Sequence, residues 1–432
     1  MQSLLTLTRY GLIALVIAIL GGLGAWYFIL QSSTKAAATS DDARGLNTSV
    51  PTFSDGSRGS TASNIAARYG AGPSNAETTN ASASTNISSS TSSPVSAEKS
   101  SAALSATLWH AEKTPVAGFA FSTSRDSIHV FFVQRATGYI FSGNPGSGSV
   151  VRLTNTLVPK TAEAVVAGDG SAILRSINAL GAIHSFAGTP TISSSSESRL
   201  LGRELDNGIQ AITIDPGSKE LFYIENDPTG GTAGFLADWN AAKPRKVFSS
   251  PVGSWRPILL ADGRMFILQS PADDDIGYAY EIDKNGAWSL LAQAPGLTIL
   301  PRASSTALLY SSSQGGSLSL YARPSVQATV VKLPIRTIAE KCAWAPTALL
   351  IAYCAVPTDA PVSGFLGNWY RGVLHTGDEW WRVDVGAGTA TKLPSPKNNL
   401  PDVIDPAIDP SGKYLAYIDN TDHSLWMMNL TQ

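Results

Sequence analysis

Short runs of apolar residues, separated by turn residues, dominate the chain from about Ala106 onward. Near the end, the segment from Asp409 to Asn420, "DPSGKYLAYIDN", has the pattern of a strand, a tight turn and a second strand. The segment from Ser424 to Leu430, "SLWMMNL", predicts a third strand, after which the chain ends. Three strands leave an exposed edge, which folded sheets avoid, so we expect a fourth strand from elsewhere.

The same strand–turn–strand pattern recurs along the chain. The clear copies are Phe121–Val133, Ile214–Asn226, Trp344–Val356 and Ile408–Asn420, and weaker copies begin at Val166, Leu259 and Ala303. Each copy has an apolar strand, a turn rich in Gly, Pro, Asp or Ser, and a second apolar strand. Successive copies are roughly 40 to 65 residues apart, which is the spacing expected of propeller blades.

Most copies are followed by two further predicted strands, so the repeat unit has four strands. Seven such units predict an all-β fold, a single seven-bladed β-propeller, although six or eight blades remain compatible because two copies are weak. The last unit lacks its outer strand, and the segment from Ala106 to Lys113, "ATLWHAEK", belongs to no other unit. We therefore predict that this N-terminal segment completes the last blade and closes the ring.

The repeat also resembles a known family. The segment "DPAIDPSGKYLAYIDN", followed by "SLWMMNL", is similar to the repeat of TolB-like, WD-repeat-like β-propellers, and the resemblance extends from Val116 to Leu430. The cysteine-containing unit, "KCAWAPTALLIAYCAVP", is similar to membrane-anchored envelope propellers of small-genome bacteria. The resemblance implies the fold and an envelope location, but no activity, because propellers carry many unrelated functions.

The N-terminal region predicts a membrane anchor. Gly11–Leu30 contains no charged residue and is long enough to cross a bilayer as a helix. We expect residues 1–10 to form a short cytoplasmic N-terminus and the rest of the chain to lie outside the cytoplasm, because Arg9 precedes the span. A cleaved signal peptide is the alternative interpretation of the same apolar run.

Residues 31–105 predict a disordered linker between the anchor and the propeller domain, which we assign to residues 106–432. The segment consists mainly of Ser, Thr, Ala, Asn and Gly, and has too few large apolar residues to form a core. The formal net charge of the chain is −2, and no basic stripe is present. Nucleic acid is therefore not an expected partner.

The two cysteines of the chain, Cys342 and Cys354, fall on the first two strands of one repeat unit. If the turn between them centres near Ala348, they face each other and can form a disulfide, which is compatible with a location outside the cytoplasm. Two buried thiols are the alternative. A redox or metal role would need closer spacing or further ligands.

The longest interruption within a unit, Pro357–Glu379, is the predicted binding loop. Trp, Tyr and Arg are enriched at binding hot spots, and functional residues concentrate on loops held by rigid scaffolds. The candidate binding residues are Phe365, Trp369, Tyr370, Arg371 and His375. The alternative is that the loop folds back and buries its aromatic side chains against the propeller.

Two groups of aspartates are weaker candidates for chemistry. Asp273, Asp274 and Asp275 are adjacent in one predicted loop and offer oxygen ligands for a hard cation, but a solvated loop explains them as well. Asp402, Asp405 and Asp409 lie where the last unit begins and are candidate acid/base residues. No cofactor is expected, since no phosphate loop, nucleophile elbow or zinc-binding helix motif occurs.

The sequence thus predicts a membrane-anchored, extracytoplasmic β-propeller that binds an envelope protein or a surface glycan and has no catalytic activity of its own. A propeller hydrolase or lyase acting on sugars or lactones at the central channel is the first alternative. A structural subunit of an envelope complex is the second. The propeller prediction rests on the repeats, whereas the choice of partner rests on location and on one loop.

Overall fold

The structure is a computed structural model. It describes residues 108–122, 127–178, 181–191, 198–206, 208–215, 217, 220–359, 361–394 and 400–431. The predicted anchor and the predicted linker lie outside the described residues. Within the described part of the chain, no helix is long and apolar enough to cross a membrane.

The described residues form seven antiparallel sheets of four strands each, which we number as blades 1 to 7 in chain order. This confirms the predicted seven-bladed propeller. Blade 1 contains β2 (Val116–Phe121), β3 (Val130–Gln134), β4 (Ile140–Asn144) and β5 (Ser149–Arg152). Blade 2 contains β6 (Thr161–Val166), β7 (Ala172–Ile177), β8 (Ile183–Thr191) and β9 (Arg199–Glu204). Blade 3 contains β10 (Ile209–Ile214), β11 (Glu220–Asn226), β12 (Thr232–Asp238) and β13 (Arg245–Ser250).

The next three blades repeat this order. Blade 4 contains β14 (Trp255–Leu259), β15 (Met265–Gln269), β16 (Ile276–Ile282) and β17 (Trp288–Pro295). Blade 5 contains β18 (Thr298–Pro301), β19 (Leu308–Gln314), β20 (Ser317–Arg323) and β21 (Val331–Lys332). Blade 6 contains β22 (Cys342–Trp344), β23 (Ile351–Pro357), β24 (Asp378–Asp384) and β25 (Thr389–Lys392), and the short 3-10 helix η1 (Ala339–Lys341) precedes it.

Blade 7 is assembled from both ends of the described chain. Its first three strands are β26 (Val403–Ile408), β27 (Tyr414–Asp419) and β28 (Leu425–Asn429), and its outer strand is β1 (Leu108–Glu112). Strand β1 pairs antiparallel with β28, with Leu108 opposite Met428. The predicted closure is thus confirmed, and it removes the open edge that three strands would leave.

The first strand of each blade lies next to the central axis. First strands of neighbouring blades contact each other, as β2 does with β6, β6 with β10, β10 with β14, and β26 with both β22 and β2. Apolar side chains pack between adjacent blades, where the alternation of strand residues supplies two apolar faces. One such cluster joins Phe132 of blade 1 to Ile418 and Met427 of blade 7.

The disulfide predicted for blade 6 is present. Cys342 on β22 and Cys354 on β23 are directly opposite each other in the strand register and are covalently joined. Both residues are buried in a cluster with Leu309 and Leu320 of blade 5. The bond therefore fastens the inner hairpin of blade 6 at the place where that blade packs on its neighbour.

Blade 6 also carries the insertion that the sequence indicates between its second and third strands. We call residues 361–377 the cap. Its one regular element is α1 (Phe365–Tyr370), which begins after Gly364, a residue with a φ of 73°. The base of the insertion is closed where Thr358 donates its backbone N–H to the carbonyl of Gly377 over 2.9 Å.

Candidate functional site

The cap extends from blade 6 across parts of blades 4, 5 and 7. On blade 4, the carboxylate of Asp273, in the turn between β15 and β16, accepts hydrogen bonds from the backbone N–H groups of Leu366 and Gly367 over 2.8 and 2.7 Å. On blade 5, the turn residue Gly316 approaches the backbone of Ser363 so closely that a Cβ would lie 2.7 Å from its nitrogen. These contacts fix the cap to two blades besides its own.

The aspartate triplet has a structural explanation. Asp273 holds the first turn of α1, where backbone N–H groups lack partners within the helix. Asp274 accepts a 2.5 Å hydrogen bond from the backbone N–H of Gly315, and Asp275 is exposed. In the described ranges, no group of three or more His, Cys, Asp or Glu residues is arranged to hold a metal ion.

The underside of the cap is apolar and buried. Phe365, Trp369 and Tyr370 are 1%, 0% and 3% exposed, and they pack in one cluster with Ile338, which precedes η1, and Ile404 of blade 7. The alternative interpretation, in which the loop folds back and buries its aromatic side chains, is therefore correct for these three residues. The sequence suggested that these three residues contact a partner at the surface. In the structure they pack against the propeller instead, because their aromatic rings cover apolar side chains of the ring.

A buried ion cluster lies where the cap meets blades 6 and 7. Lys341 is fully buried, and its ammonium group donates to Asp378 over 2.5 Å, to Asp402 over 2.8 Å and to Thr376 over 2.9 Å. These three acceptors use all three protons of the ammonium group. Burial raises the pKa of Asp378, and the neighbouring Lys341 opposes this effect.

Asp402 connects this cluster to the surface of the cap. Its Oδ1 also accepts a hydrogen bond from the indole N–H of Trp369 over 2.8 Å. Its Oδ2 accepts one from Asn420 over 2.7 Å and lies 3.1 Å from Nδ1 of His375, whose side chain is 41% exposed. Both oxygens of this buried carboxylate thus have partners, so Asp402, a candidate acid/base residue, holds the cap in place.

A second cluster lies at the centre of the ring. Arg256 on β14 of blade 4 forms an ion pair with Glu340 of η1 at 2.8 Å, and it donates to the Tyr370 hydroxyl at 3.1 Å. That hydroxyl donates in turn to Glu340 over 2.6 Å. Blade 4 and the segments of blade 6, which are separated by blade 5, are thus bridged beneath the cap. We call Arg256, Glu340, Glu163 and Asp405 the channel cluster.

Asp405 reaches the channel cluster from blade 7 through a local irregularity. The pairing of β26 with β27 shifts register between Ile404 and Ala407, so that Asp405 and Pro406 bulge out of the strand. Asp405 has a φ of 50°, in the left-handed region that a non-glycine residue seldom adopts. Burial, followed by the charge of Glu340, raises the pKa of Asp405 to about 7. Asp405 is only partly exposed.

Glu163 belongs to the same cluster from blade 2. It lies on β6, is 2% exposed, and pairs through Oε2 with the equally buried Arg175 at 3.2 Å. Burial raises the pKa of Glu163 to about 7 against the opposing charge of Arg175, and Asp405 raises it further. Oε1 of Glu163 and Nε of Arg175 have no hydrogen-bond partner among the described residues.

The acid/base candidates of blade 7 have three different environments. Asp402 belongs to the cluster around Lys341, and Asp405 belongs to the channel cluster. Asp409 caps its own turn, accepting hydrogen bonds from the backbone N–H groups of Ser411 and Tyr414. Acid/base catalysis generally uses two groups whose pKa values are well separated, whereas the pKa values of Asp405 and Glu163 are both about 7.

Sequence reasoning missed Lys341, Asp378, Glu163 and Arg256. A signal for two of them was present, because Glu163 interrupts the apolar segment "TAEAVV" and Arg256 interrupts "WRPIL". A charged residue within a buried strand is rare unless it is paired. Arg175, the partner of Glu163, is opposite it on the next strand of blade 2, whereas Glu340, the partner of Arg256, comes from the segment before blade 6.

The outer surface of the cap contains the two remaining binding candidates. Arg371 and His375 are exposed, as are Val362 and Val373, whose side chains are 58% and 73% exposed. Arg371 donates a 2.6 Å hydrogen bond to the Asn368 side chain. This surface thus combines exposed valines with an exposed arginine and an exposed histidine on a rigid support.

The chain is similar to known proteins only at the level of solved structures. No family model and no curated protein sequence matches it. Among solved structures, a chain of the mitotic checkpoint complex is similar over 82% of this chain and 99% of its own length, with 11% identity and a TM-score of 0.47. The β-propeller domain of Cps50 (Swd1) from Myceliophteria thermophila is similar over 74% of this chain and 97% of its own, with 9% identity and a TM-score of 0.46.

Proposed function

We propose that the protein is a binding module in which a closed seven-bladed propeller presents the outer surface of the cap to a partner. The observation that supports this most strongly is the way the cap is built. Its aromatic residues and Asp402 fix it to the ring, while Arg371, Val373 and His375 point outward. A surface held rigid before binding loses little conformational entropy when a partner docks.

We propose further that this module is anchored in a membrane by residues 11–30 and acts outside the cytoplasm, with an envelope protein or a surface glycan as its partner. The apolar N-terminal segment supports the anchor. The Cys342–Cys354 disulfide supports the location, because such bonds persist in oxidising compartments and are rare in the cytosol. We take an envelope protein as the first partner to test, because exposed Val and Arg side chains suit a protein interface.

One experiment tests both parts of the proposal. In the full chain, Val373→Cys places a thiol on the cap, and Val326→Cys places a matched thiol on blade 5, where Val326 is 63% exposed. Intact cells are treated with a thiol-specific photocrosslinker that does not cross the cytoplasmic membrane. We expect both variants to be labelled, and one protein to be crosslinked from position 373 only. The native cysteines give no background, since they are bonded to each other.

Two outcomes would contradict the proposal separately. Labelling that requires cell lysis at both positions would place the propeller in the cytoplasm. If both positions are labelled in intact cells but give the same crosslinked products, or no crosslinked product, the cap is not the contact surface. Trp369 and Tyr370 are unsuitable positions for this test, because substitutions at buried side chains change folding as well as binding.

A further inference from the structure

The last two strands of blade 4, β16 and β17, share a sheet face without a charged side chain. Residues opposite each other in an antiparallel pair project from the same face. The register shift in this pair adds Leu291 to β17, so the alternation is kept on both sides of it. The strand register therefore defines what we call the blade 4 face: Ile276 opposite Pro295, Tyr278 opposite Gln293, and Tyr280 opposite Leu290.

The blade 4 face is covered at one end and open at the other. Further along the same face, Trp288 packs on Phe248 of blade 3, with ring centroids 5.4 Å apart. Ile276, Tyr278 and Leu290 are instead 57%, 36% and 54% exposed. In the described part of the chain, Tyr278 is the one aromatic residue among the exposed large apolar side chains. Adjacent exposed apolar side chains commonly mark a binding surface.

The aromatic rings of this face are held in place before any ligand binds. The rings of Tyr278 and Tyr280 are nearly parallel, with an interplanar angle of 16° and centroids 6.5 Å apart. The Tyr280 ring contacts Trp288 at 5.2 Å and Trp255 at 6.0 Å, and Trp255 is buried. A ligand therefore meets two rings that are already arranged, and ordering them costs little conformational entropy.

Core packing does not account for the exposed ring. In blade 1, Phe132 and Phe141 are also nearly parallel, but they are opposite each other on adjacent strands, and Phe132 is fully buried between blades. Tyr278 and Tyr280 follow each other along one strand, and the outer ring of this pair is open to solvent. The pair is thus placed for contact with a molecule outside the propeller.

The chemistry of the blade 4 face selects its occupant. Tyrosine rings offer flat apolar surfaces, and their hydroxyl groups and the exposed amide of Gln293 offer hydrogen bonds at the edges. A charged ligand would lose hydration without gaining a counter-charge from this face. A stable protein interface usually takes about 20–30 residues on each side, which is far more than three exposed side chains. A neutral sugar ring fits, because its C–H groups form an apolar face and its hydroxyl groups surround that face.

We propose that the blade 4 face binds a neutral oligosaccharide. Sugar rings stack on Tyr278 and Tyr280, and Gln293 exchanges hydrogen bonds with sugar hydroxyl groups. This inference goes beyond the proposed function, because the face contains no residue of the cap. The crosslinking experiment at position 373 and the glycan titration below therefore succeed or fail independently.

The test is calorimetric titration of the full chain in a mild detergent without a sugar headgroup, since a sugar headgroup would compete. The probes are hexasaccharides of β-1,4-linked glucose, α-1,4-linked glucose and β-1,4-linked N-acetylglucosamine. Hexagalacturonate is the control ligand of the same length, because each of its rings carries a carboxylate. We expect at least one neutral probe to bind at least about 10-fold more tightly than hexagalacturonate.

Three exposed-site variants identify the contact. Tyr278→Ala should weaken binding of the neutral probe about 10-fold, whereas Tyr278→Phe keeps the ring and should remain within about 3-fold of the parent chain. Leu349→Ala is the matched control, since Leu349 is 66% exposed in the turn between β22 and β23 of blade 6, and it should bind like the parent.

Several results would overturn the proposal. They are no binding of any neutral probe, tighter binding of hexagalacturonate, and equal binding by Tyr278→Ala and the parent chain. Sedimentation velocity of the same samples tests the other occupant. A dimer of the parent chain that Tyr278→Ala dissociates would assign the blade 4 face to a second copy of the protein instead of a glycan.

Discussion

Two buried charge clusters lie beneath the same cap, and they differ in whether a cation joins their carboxylates. Around Lys341, one ammonium group donates to both Asp378 and Asp402, although Oδ1 of Asp378 has no hydrogen-bond partner among the described residues. In the channel cluster, burial raises the pKa values of Glu163 and Asp405 to about 7, and Oε1 of Glu163 also has no donor. Removing a cation that two buried carboxylates share should therefore cost more stability than neutralising one carboxyl whose burial already favours the protonated form.

The largest expected effect comes from removing the cation of the cluster around Lys341. Lys341→Met leaves Asp378 and Asp402 buried without their shared counter-charge. We expect the free energy of unfolding to fall by about 3–5 kcal/mol, measured by urea denaturation.

Lys392→Met is the matched control for this substitution, because the Lys392–Glu379 pair is exposed. We expect it to change stability by less than about 1 kcal/mol. Equal effects of the two substitutions would show that the cluster around Lys341 contributes no more than a surface ion pair, and the comparison between the clusters would be wrong.

An intermediate effect is expected from the disulfide, which begins at the residue after Lys341. Replacing both Cys342 and Cys354 with Ala should lower the free energy of unfolding by roughly 3 kcal/mol, because the bond restricts the unfolded chain. Denaturation of the parent chain with and without reductant checks the same quantity without a substitution.

The smallest expected effect has the opposite sign and concerns Asp405 of the channel cluster. The pKa of Asp405 in the folded state is about 7, above the ordinary value of 3.8, so folding favours the protonated form. Its contribution to stability is therefore present below about pH 4 and is lost as the pH rises through about 7. Asp405→Asn resembles the protonated form at every pH.

We consequently expect Asp405→Asn to raise the free energy of unfolding by about 2 kcal/mol at pH 8, and the gain to shrink toward zero by pH 4. Denaturation curves of both chains at pH 4, 6 and 8 provide the measurement. A destabilised variant at pH 8 would mean that the carboxylate has partners that outweigh its burial.

The cap shows how far sequence reasoning extends at a candidate site. Its position within blade 6 could be predicted, because it interrupts a repeat whose other copies are shorter. Trp369 and Tyr370 are residue types that are enriched at binding hot spots. Large aromatic side chains also pack well in buried positions, and both of these residues are buried. Burial depends on which surface lies opposite, and that surface comes from Ile338 and Ile404.

The sequence by itself indicated the repeat, the closing strand and a facing cysteine pair, and it favoured seven blades while six or eight remained compatible, since each depends on local alternation and on the register of one hairpin. Only the tertiary structure decided the two charge clusters. Lys341 precedes blade 6 and Asp402 precedes β26 of blade 7, and the packing of these consecutive blades brings the ammonium group to the carboxylate. Glu163 is on blade 2 and Asp405 is on blade 7, so the effect of one charge on the other depends on the ring. The chain encodes strands through neighbours in sequence, whereas buried charges acquire their partners and pKa values from neighbours in space.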